Sequence, residues 1–461
     1  MELLLRTKAL IVLIGFVLMP ACSVKSANTP EVYMKGMKVA ASAADIAGDD
    51  SMAIAGGIHP GFVKGQEGKI RASAVVIEVA GTKLCIVSCD VLMFAKEIID
   101  DAMRKIEAEC GIPFENILVS ATHTHHAPST VTVHGYPRND EFCQRLRDAI
   151  FSAVSKANEK LKTDQDAQMY FWLGQESSVG QNSRLLLEDD TIFWIGARDD
   201  VVRPTGPFDP ELPVLAFKKN DGSMEALIFN HSTHNIGTRR GGMRSPGFYG
   251  LASQELEEEL GGNALFLLGA AGSTHNLTLS GNEMAFRIKD AVKEALSKAQ
   301  KRDVPVLEAV KEEFEYRVRK FDEEEEEKAV SYYCNKRAGG AESIIKVFRN
   351  MRKELASHQG EVRKTWLQAM LIGDVAFVAV PGEFFTSLGV EIKRRSPFRY
   401  TYIVELANDY IGYIPDKEGY RLGGYQVWTG YHSFVEEGTG EAIVDEAVKM
   451  LMSLYESKGR I

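Results

Sequence analysis

The sequence predicts a mixed α/β fold, sheets covered by helices, built as one large unit rather than two separable domains. Three observations carry this reading. Short apolar runs of strand length alternate with amphipathic stretches of helical period through the body of the chain. No internal repeat and no Gly/Ser-rich linker interrupts that alternation. Finally, 45% apolar against 26% charged residues over 461 positions is the balance of a folded chain, not a disordered or fibrous one.

Taken in order, Ala74 to Ala80 and Leu84 to Ser88 read as strands separated by the Gly81-Thr82 turn. Ile98, Ile99, Ala102, Met103 and Ile106 give Lys96 to Cys110 a helical stripe, and Gly111 with Pro113 stops it. Ile117 to Ala121 is a buried strand, and Asn139 caps a helix whose stripe runs Phe142, Leu146, Ile150, Val154 and Leu161. Strands are expected at Met169 to Leu173, Ile192 to Ile195, Val214 to Phe217, Ala226 to Phe229 and Leu265 to Leu268. A hairpin over Leu367 to Val380 turns at Gly373-Asp374, and Thr401 to Leu406 is a last strand. Gly250 to Leu260, Asn282 to Lys301 and Glu441 to Tyr455 read as helices. Residues 322–357 are a charged helical excursion between the halves of the fold, its acidic run Glu323 to Glu327 read as a solvated face.

The N-terminus departs from this pattern. Arg6 and Lys8 precede the apolar stretch Ala9 to Met19, too short to span a bilayer but suited to a secretory h-region. Leu-Met-Pro-Ala-Cys then resembles a lipobox ending at Cys22, against an ordinary signal peptide with an incidental cysteine. Residues 1–22 thus read as a signal peptide, 23–35 as a tether and 36–458 as the folded domain, exported and lipid-anchored to the cell envelope. Without Cys22, Cys85, Cys89, Cys110, Cys143 and Cys334 remain, an odd number with no Cys-x-x-Cys spacing, so disulfides are not expected to hold the fold. Lys plus Arg number 54 against 64 Asp plus Glu, and no basic face offsets the deficit, which argues against a nucleic-acid partner. No Walker or Rossmann glycine fingerprint is present.

The ten histidines are unevenly placed. Ala121-Thr-His123-Thr-His125-His126 puts three at the end of a buried strand, where a period of two would give His123 and His125 one face and turn His126 away. Asn230-His231-Ser-Thr-His234 follows a second apolar strand. Either cluster alone reads equally well as polar residues at a loop start, but together they favour a zinc-like site. Glu383, after Val380-Pro-Gly, and the Asn408 to Tyr413 segment also follow strands, though spacing alone would not single them out.

Gly57-Ile58-His59, Val87-Ser-Cys-Asp90, Ala121-Thr-His-Thr-His125, Asn182-Ser-Arg184, Ser245-Pro-Gly247, Val380-Pro-Gly-Glu-Phe384 and Asn408 to Tyr413 occur in that order over residues 35 to 440. This ordered set resembles the catalytic domain of the neutral/alkaline ceramidase family. The resemblance implies a zinc ion held by His123, His234, Glu383 and Tyr413, with His125, Arg184 and Tyr425 around it. It implies an N-acyl amide, ceramide-like lipid first, cleaved to sphingoid base and fatty acid by metal-activated water. Arg184 and Tyr425 would donate to the developing oxyanion and His125 would relay a proton to the leaving amine. Asp90 is either a partner orienting a ligand imidazole or a strand-end cap.

Two departures qualify the implied chemistry. The family carries a serine in Gly-Asp-x-Ser-Pro-Asn, whereas this chain reads Gly269-Ala-Ala-Gly-Ser273-Thr274-His275-Asn276, with Thr274 at the serine position as a catalytic candidate and His275 read as a loop histidine, or else as a pocket-lining group or replacement ligand. Gln426 follows Tyr425 where the family shows Glu. Members also commonly add a C-terminal immunoglobulin-like domain, which bears on long-chain lipid specificity. Hydrolysis of another amide or ester, or a non-catalytic surface-binding protein of the same fold, are the alternative expectations. A structural zinc site fits poorly with a tyrosine ligand.

Overall fold

Each of the three main sheets is apolar on both faces, and that double burial dictates the layering. The computed structural model describes residues 36–163, 166–194 and 196–458. The signal peptide, Cys22 and the tether lie outside the described residues, as does Ile195. The first sheet holds β1 (Lys38–Asp45), β2 (Arg71–Val79), β3 (Thr82–Cys89) and β4 (Ile117–Ala121) in that order. The second runs Asn263–Leu268, Met224–His231, Glu211–Lys219, Ala167–Gln175 and Gln300–Arg302. The third runs Leu307–Arg317, Val362–Ile372, Val375–Ala379 and Tyr400–Val404.

Period-two alternation sorts the side chains. Val75 and Ile77 of β2, Phe217 and Ile228 of the second sheet, and Phe377 and Val404 of the third enter one core in which all three sheets meet. The intervening residues face helices. Helices α1 (Lys96–Cys110) and α2 (Asp140–Lys160) cover the first sheet, and α3 (Gly247–Leu260) with α4 (Gly281–Lys298) cover the second. The Thr386–Arg395 and Thr439–Lys458 helices cover the third. Asn139 caps α2 as expected, its side chain accepting from the Phe142 amide at 2.8 Å. The strands and helices anticipated from the apolar pattern are present, most with longer ends, but the helix expected over Asn282 to Lys301 stops at Lys298 and Gln300–Arg302 is a strand, and of Ile192 to Ile195 the described strand is Ile192–Phe193.

The excursion over 322–357 is a pair of helices, α5 (Glu323–Arg337) and α6 (Ala341–Leu355). Asp322 is the N-cap of α5, accepting from the Glu324 and Glu325 amides at 2.9 Å, and the acidic run fills the first turn. There the positive end of the helix dipole favours carboxylates, which gives the run a structural reason beyond solvation. The inner faces are apolar: Val330, Tyr333, Phe348 and Met351 pack with Trp428. Arg352 is wholly buried between the helices, with Nε and a terminal nitrogen each 2.9 Å from the two oxygens of Glu323 and a further bond to Glu327.

The five cysteines within the described residues are all free and buried. Among the described residues no helix is long and apolar enough to cross a membrane.

Candidate metal centre

One parallel pair of strands occurs in each main sheet, and the three pairs end at the same place. β3 runs parallel to β4, Met224–His231 to Asn263–Leu268, and Val375–Ala379 to Tyr400–Val404, each joined through a helix. Carboxyl ends of parallel strands are where α/β sheets leave room for ligands. In the first two sheets one strand of the pair leads to a histidine and the other to the carbonyl that orients it. After β4 comes His123, whose Nδ1–H donates to the Leu92 carbonyl beyond β3 at 2.9 Å. After Met224–His231 comes His234, whose Nδ1–H is shared by the carbonyls of Ala271 and Thr274 at 3.0 and 2.9 Å. A carbonyl only accepts, so both imidazoles carry their hydrogen on Nδ1 and present a bare Nε2 to the centre.

A separate two-stranded ribbon beyond the ends of the third sheet supplies oxygen. Glu383–Phe384 pairs in parallel with Tyr413–Ile414, setting Glu383 directly beside Tyr413. Glu383 Oε2 lies 3.4 Å from His123 Nε2 and 3.2 Å from His234 Nε2. The Tyr413 hydroxyl is 3.2 Å from His234 Nε2, and Tyr410 reaches Glu383 Oε1 at 3.4 Å. His125 Nε2 stands 3.3 Å from His123 Nε2. The ring nitrogens of His123, His125 and His234 lie within 4.8 Å of one another, a grouping able to hold a metal ion. Glu383 Oε2 is buried with no hydrogen-bond donor, an orphan acceptor amid bare ring nitrogens. A cation satisfies this set of lone pairs, so the residues fit a metal ion well.

Electrostatics follow from the same crowding. Burial raises the Glu383 carboxyl, and positive charge at His123, then His234, would outweigh burial and hold it well below the ordinary carboxylate range; with both Nε2 atoms bare, a bound cation would have to supply that charge. Burial, then the Glu383 carboxylate, push the Tyr413 phenol well up, so it keeps its proton unless a cation offsets the cost. Burial and the neighbouring His123 and His234 hold His125 well below its usual value and neutral.

Local backbone explains the convergence better than strand periodicity. β4 ends at Ala121, and His123 takes a left-handed φ of 59°, so the expected period of two does not extend to His125. The kink turns both rings inward. A Cβ on Gly272 would lie 2.3 Å from the Glu383 carbonyl, so only glycine lets the His234-orienting loop approach the Glu383 ribbon. Behind both, one oxygen of the buried Glu405 carboxyl, a group whose pKa burial pushes well up, accepts from the Ala271 and Phe384 amides at 2.9 and 2.8 Å, tying the two loops together.

No family model and no curated protein matches the chain. Among solved structures, the neutral ceramidase from Pseudomonas aeruginosa aligns with a TM-score of 0.72 at 18% identity, over 92% of this chain and 75% of that one. A ceramidase complexed with C2 aligns at 0.70, again 18% identical, over 92% and 76%. The fold is that of the neutral ceramidases.

On that ceramidase fold the remaining expected residues can be placed. Arg184 is buried, stays charged with burial lowering its pKa only to about 10, and donates to Gln426 at 2.7 Å and to the carbonyls of Gly423 and Gly419 at 2.6 and 3.3 Å. Its Nε–H has no partner. Gln426, at the position of the family's Glu, is thus the Arg184 acceptor. Tyr425 lies beside Tyr413, ring centroids 5.9 Å apart. The Thr274 hydroxyl donates to the Ser232 carbonyl at 2.7 Å, and its own carbonyl orients His234, so its contacts are those of a positioning group. Of the two readings of Asp90 the structure shows the strand-end cap: it accepts from Thr122 and the Arg71 amide and touches neither His123 nor His234, whose Nδ1 positions are already taken by backbone carbonyls. His231 is bound between Tyr249 and the Glu176 carbonyl, and His126 Nε2 accepts from the Gly237 amide, so both are structural. His275 lines the centre, stacked on His234 at 5.5 Å.

Sequence reasoning missed His134, Trp194, Glu405 and His432. His134 Nε2 is 3.0 Å from the Tyr425 hydroxyl, Trp194 and His432 sandwich the Tyr425 ring, and Phe348 of α6 closes the wall. None stands in a recognisable spacing; each is informative only through partners distant in the chain.

Proposed function

We propose that this chain is a zinc-dependent amidohydrolase of the neutral ceramidase family, cleaving an N-acyl amide with ceramide-like lipid as its leading substrate. The observation that carries the reading is the orphaned Glu383 Oε2 facing the bare Nε2 atoms of His123 and His234 beside the Tyr413 hydroxyl. His123, His234, Glu383 and Tyr413 are the zinc ligands in this reading, an N/O donor set suited to that ion. The likeness in fold to a neutral ceramidase and to a ceramidase complexed with C2 supports the substrate class.

Zinc supplies Lewis acidity, able to polarise a carbonyl and to lower the pKa of a water from 15.7 toward ~7. The protein's own groups do the rest. His125, kept neutral by burial, accepts the proton released by the attacking water at Nε2 and returns it to the departing amine. The unpartnered Nε–H of Arg184, on a guanidinium pinned by three acceptors, donates to the developing oxyanion, a role worth roughly 2.7–4 kcal/mol in other enzymes. Export and anchoring through Cys22 belong to the same reading; Cys22→Ser should move the protein from the membrane to the soluble fraction.

A panel of N-acyl substrates tests the proposal. Hydrolysis is expected to stop with a chelator, return with zinc, and fall strongly in Arg184→Ala. A zinc-loaded protein that cleaves no amide on the panel contradicts it.

A further inference from the structure

The orientation of the Tyr425 hydroxyl is set by a carbonyl two residues of contact away. Gly57 O lies 2.9 Å from His134 Nδ1 and also accepts from the Tyr136 hydroxyl at 3.1 Å. Because a carbonyl only accepts, His134 Nδ1 carries the hydrogen. His134 is 4% exposed, and burial lowers its pKa to about 4, so near pH 7 its Nε2 is bare and can only accept. Tyr425, 3.0 Å away, must be the donor. Its ring cannot swing to escape this, being stacked between Trp194 (centroids 4.9 Å, 14°) and His432 (4.7 Å, 27°). With its one hydrogen committed to His134, the phenol oxygen offers only lone pairs to anything bound beside Tyr413.

We infer that His134 is a positioning residue that makes Tyr425 a hydrogen-bond acceptor in the pocket, and that the donor it awaits is the N–H of a secondary amide substrate. This rests on the amidohydrolase reading above and narrows it. It also reassigns Tyr425, which the family resemblance would have as an oxyanion donor, and leaves that task to the Arg184 Nε–H. An ester or an N-methylated amide would leave the buried phenol oxygen without its donor, the situation in which sites built around a substrate N–H or O–H discriminate strongly.

Two measurements decide it. In histidine-selective 15N NMR of the full chain near pH 7, with His134→Gln used for assignment, His134 should show the Nδ1–H tautomer, and Tyr425→Phe should shift its Nε2 resonance. An Nε2–H tautomer at His134 overturns the inference, whatever the catalytic result. In kinetics, the ratio of kcat/KM for a secondary N-acyl amide over its N-methyl and ester analogues should be at least ~10² in the wild type. It should drop at least tenfold in His134→Leu and persist in His134→Gln, whose side-chain oxygen still accepts; Tyr425→Phe gives the same reading as His134→Leu if that variant does not fold. An unchanged ratio in His134→Leu or Tyr425→Phe overturns the selection. If the zinc-loaded wild type cleaves esters but no amide, the amide-hydrolase reading and the N–H selection both fall, while the NMR result still decides the orientation.

Discussion

His123 and His234 each present a fixed, bare Nε2, since the Leu92, Ala271 and Thr274 carbonyls hold each ring and its tautomer, as the zinc reading requires of them. Glu383 is the complementary case, an anion held buried with one oxygen unmatched. Replacing it by Gln removes the charge but keeps the shape, so Glu383→Gln should weaken zinc by more than the ~10–100-fold that loss of an outer partner costs, measured by competition with a chromogenic chelator. His432 gives a pH prediction. Burial and His134 lower its pKa to about 3, so unfolding lets it gain a proton below about pH 6.5. Its contribution to stability is therefore complete above the unfolded pKa and lost as pH falls toward the folded one. Urea unfolding at pH 7 and pH 5 should show the acid loss shrinking by roughly 2 kcal/mol in His432→Phe. At this scale the sequence was most legible where a family pattern existed: His123, His234, Glu383 and Tyr413 do meet. For Asp90 the sequence left two readings open, because a strand-end carboxylate says nothing about which imidazole nitrogen is already satisfied; its bonds to Thr122 and the Arg71 amide are those of the cap.

Secondary elements were readable wherever one periodicity dominated. Lys96–Cys110 and Ile117–Ala121 match their expected limits because a glycine stop and a continuous apolar run mark them. Strands Lys38–Asp45 and Leu307–Arg317 escaped notice, the first small and alanine-rich, the second alternating charge with Phe and Val as an edge strand does. In the excursion, charge drew attention from the stripe Ile345, Phe348, Met351 and Leu355 that packs inward. Arg352 is the joint of that helix pair, itself fully buried while Glu323 and Glu327 keep 54% and 27% side-chain exposure, so its loss removes charge-assisted bonds without stranding a buried charge. Arg352→Ala should destabilise by about 2 kcal/mol, the scale of lost hydrogen bonds between charged groups. Circular dichroism in urea measures it, and the quenching environment of Trp428 should change with it, since that ring packs on Phe348.

Across the whole molecule, three sheets with three parallel pairs bring residues 123, 234, 383 and 413 to one point, and no local pattern encodes such a convergence. The His134–Tyr425 contact joins residues 291 apart and Thr274 to Ser232 joins residues 42 apart, both invisible to spacing. An ion held by residues beyond the ends of all three sheets binds only the folded chain, so free zinc at 100 times its Kd should add about 2.7 kcal/mol of stability. Thermal melts with and without chelator should separate accordingly. The most direct test is anomalous diffraction across the zinc edge on crystals grown with the metal. One edge-dependent peak bonded to His123 Nε2, His234 Nε2, Glu383 and the Tyr413 hydroxyl is the expected result; a metal-replete crystal with no peak there, or an ion held without Glu383 and Tyr413, contradicts the account.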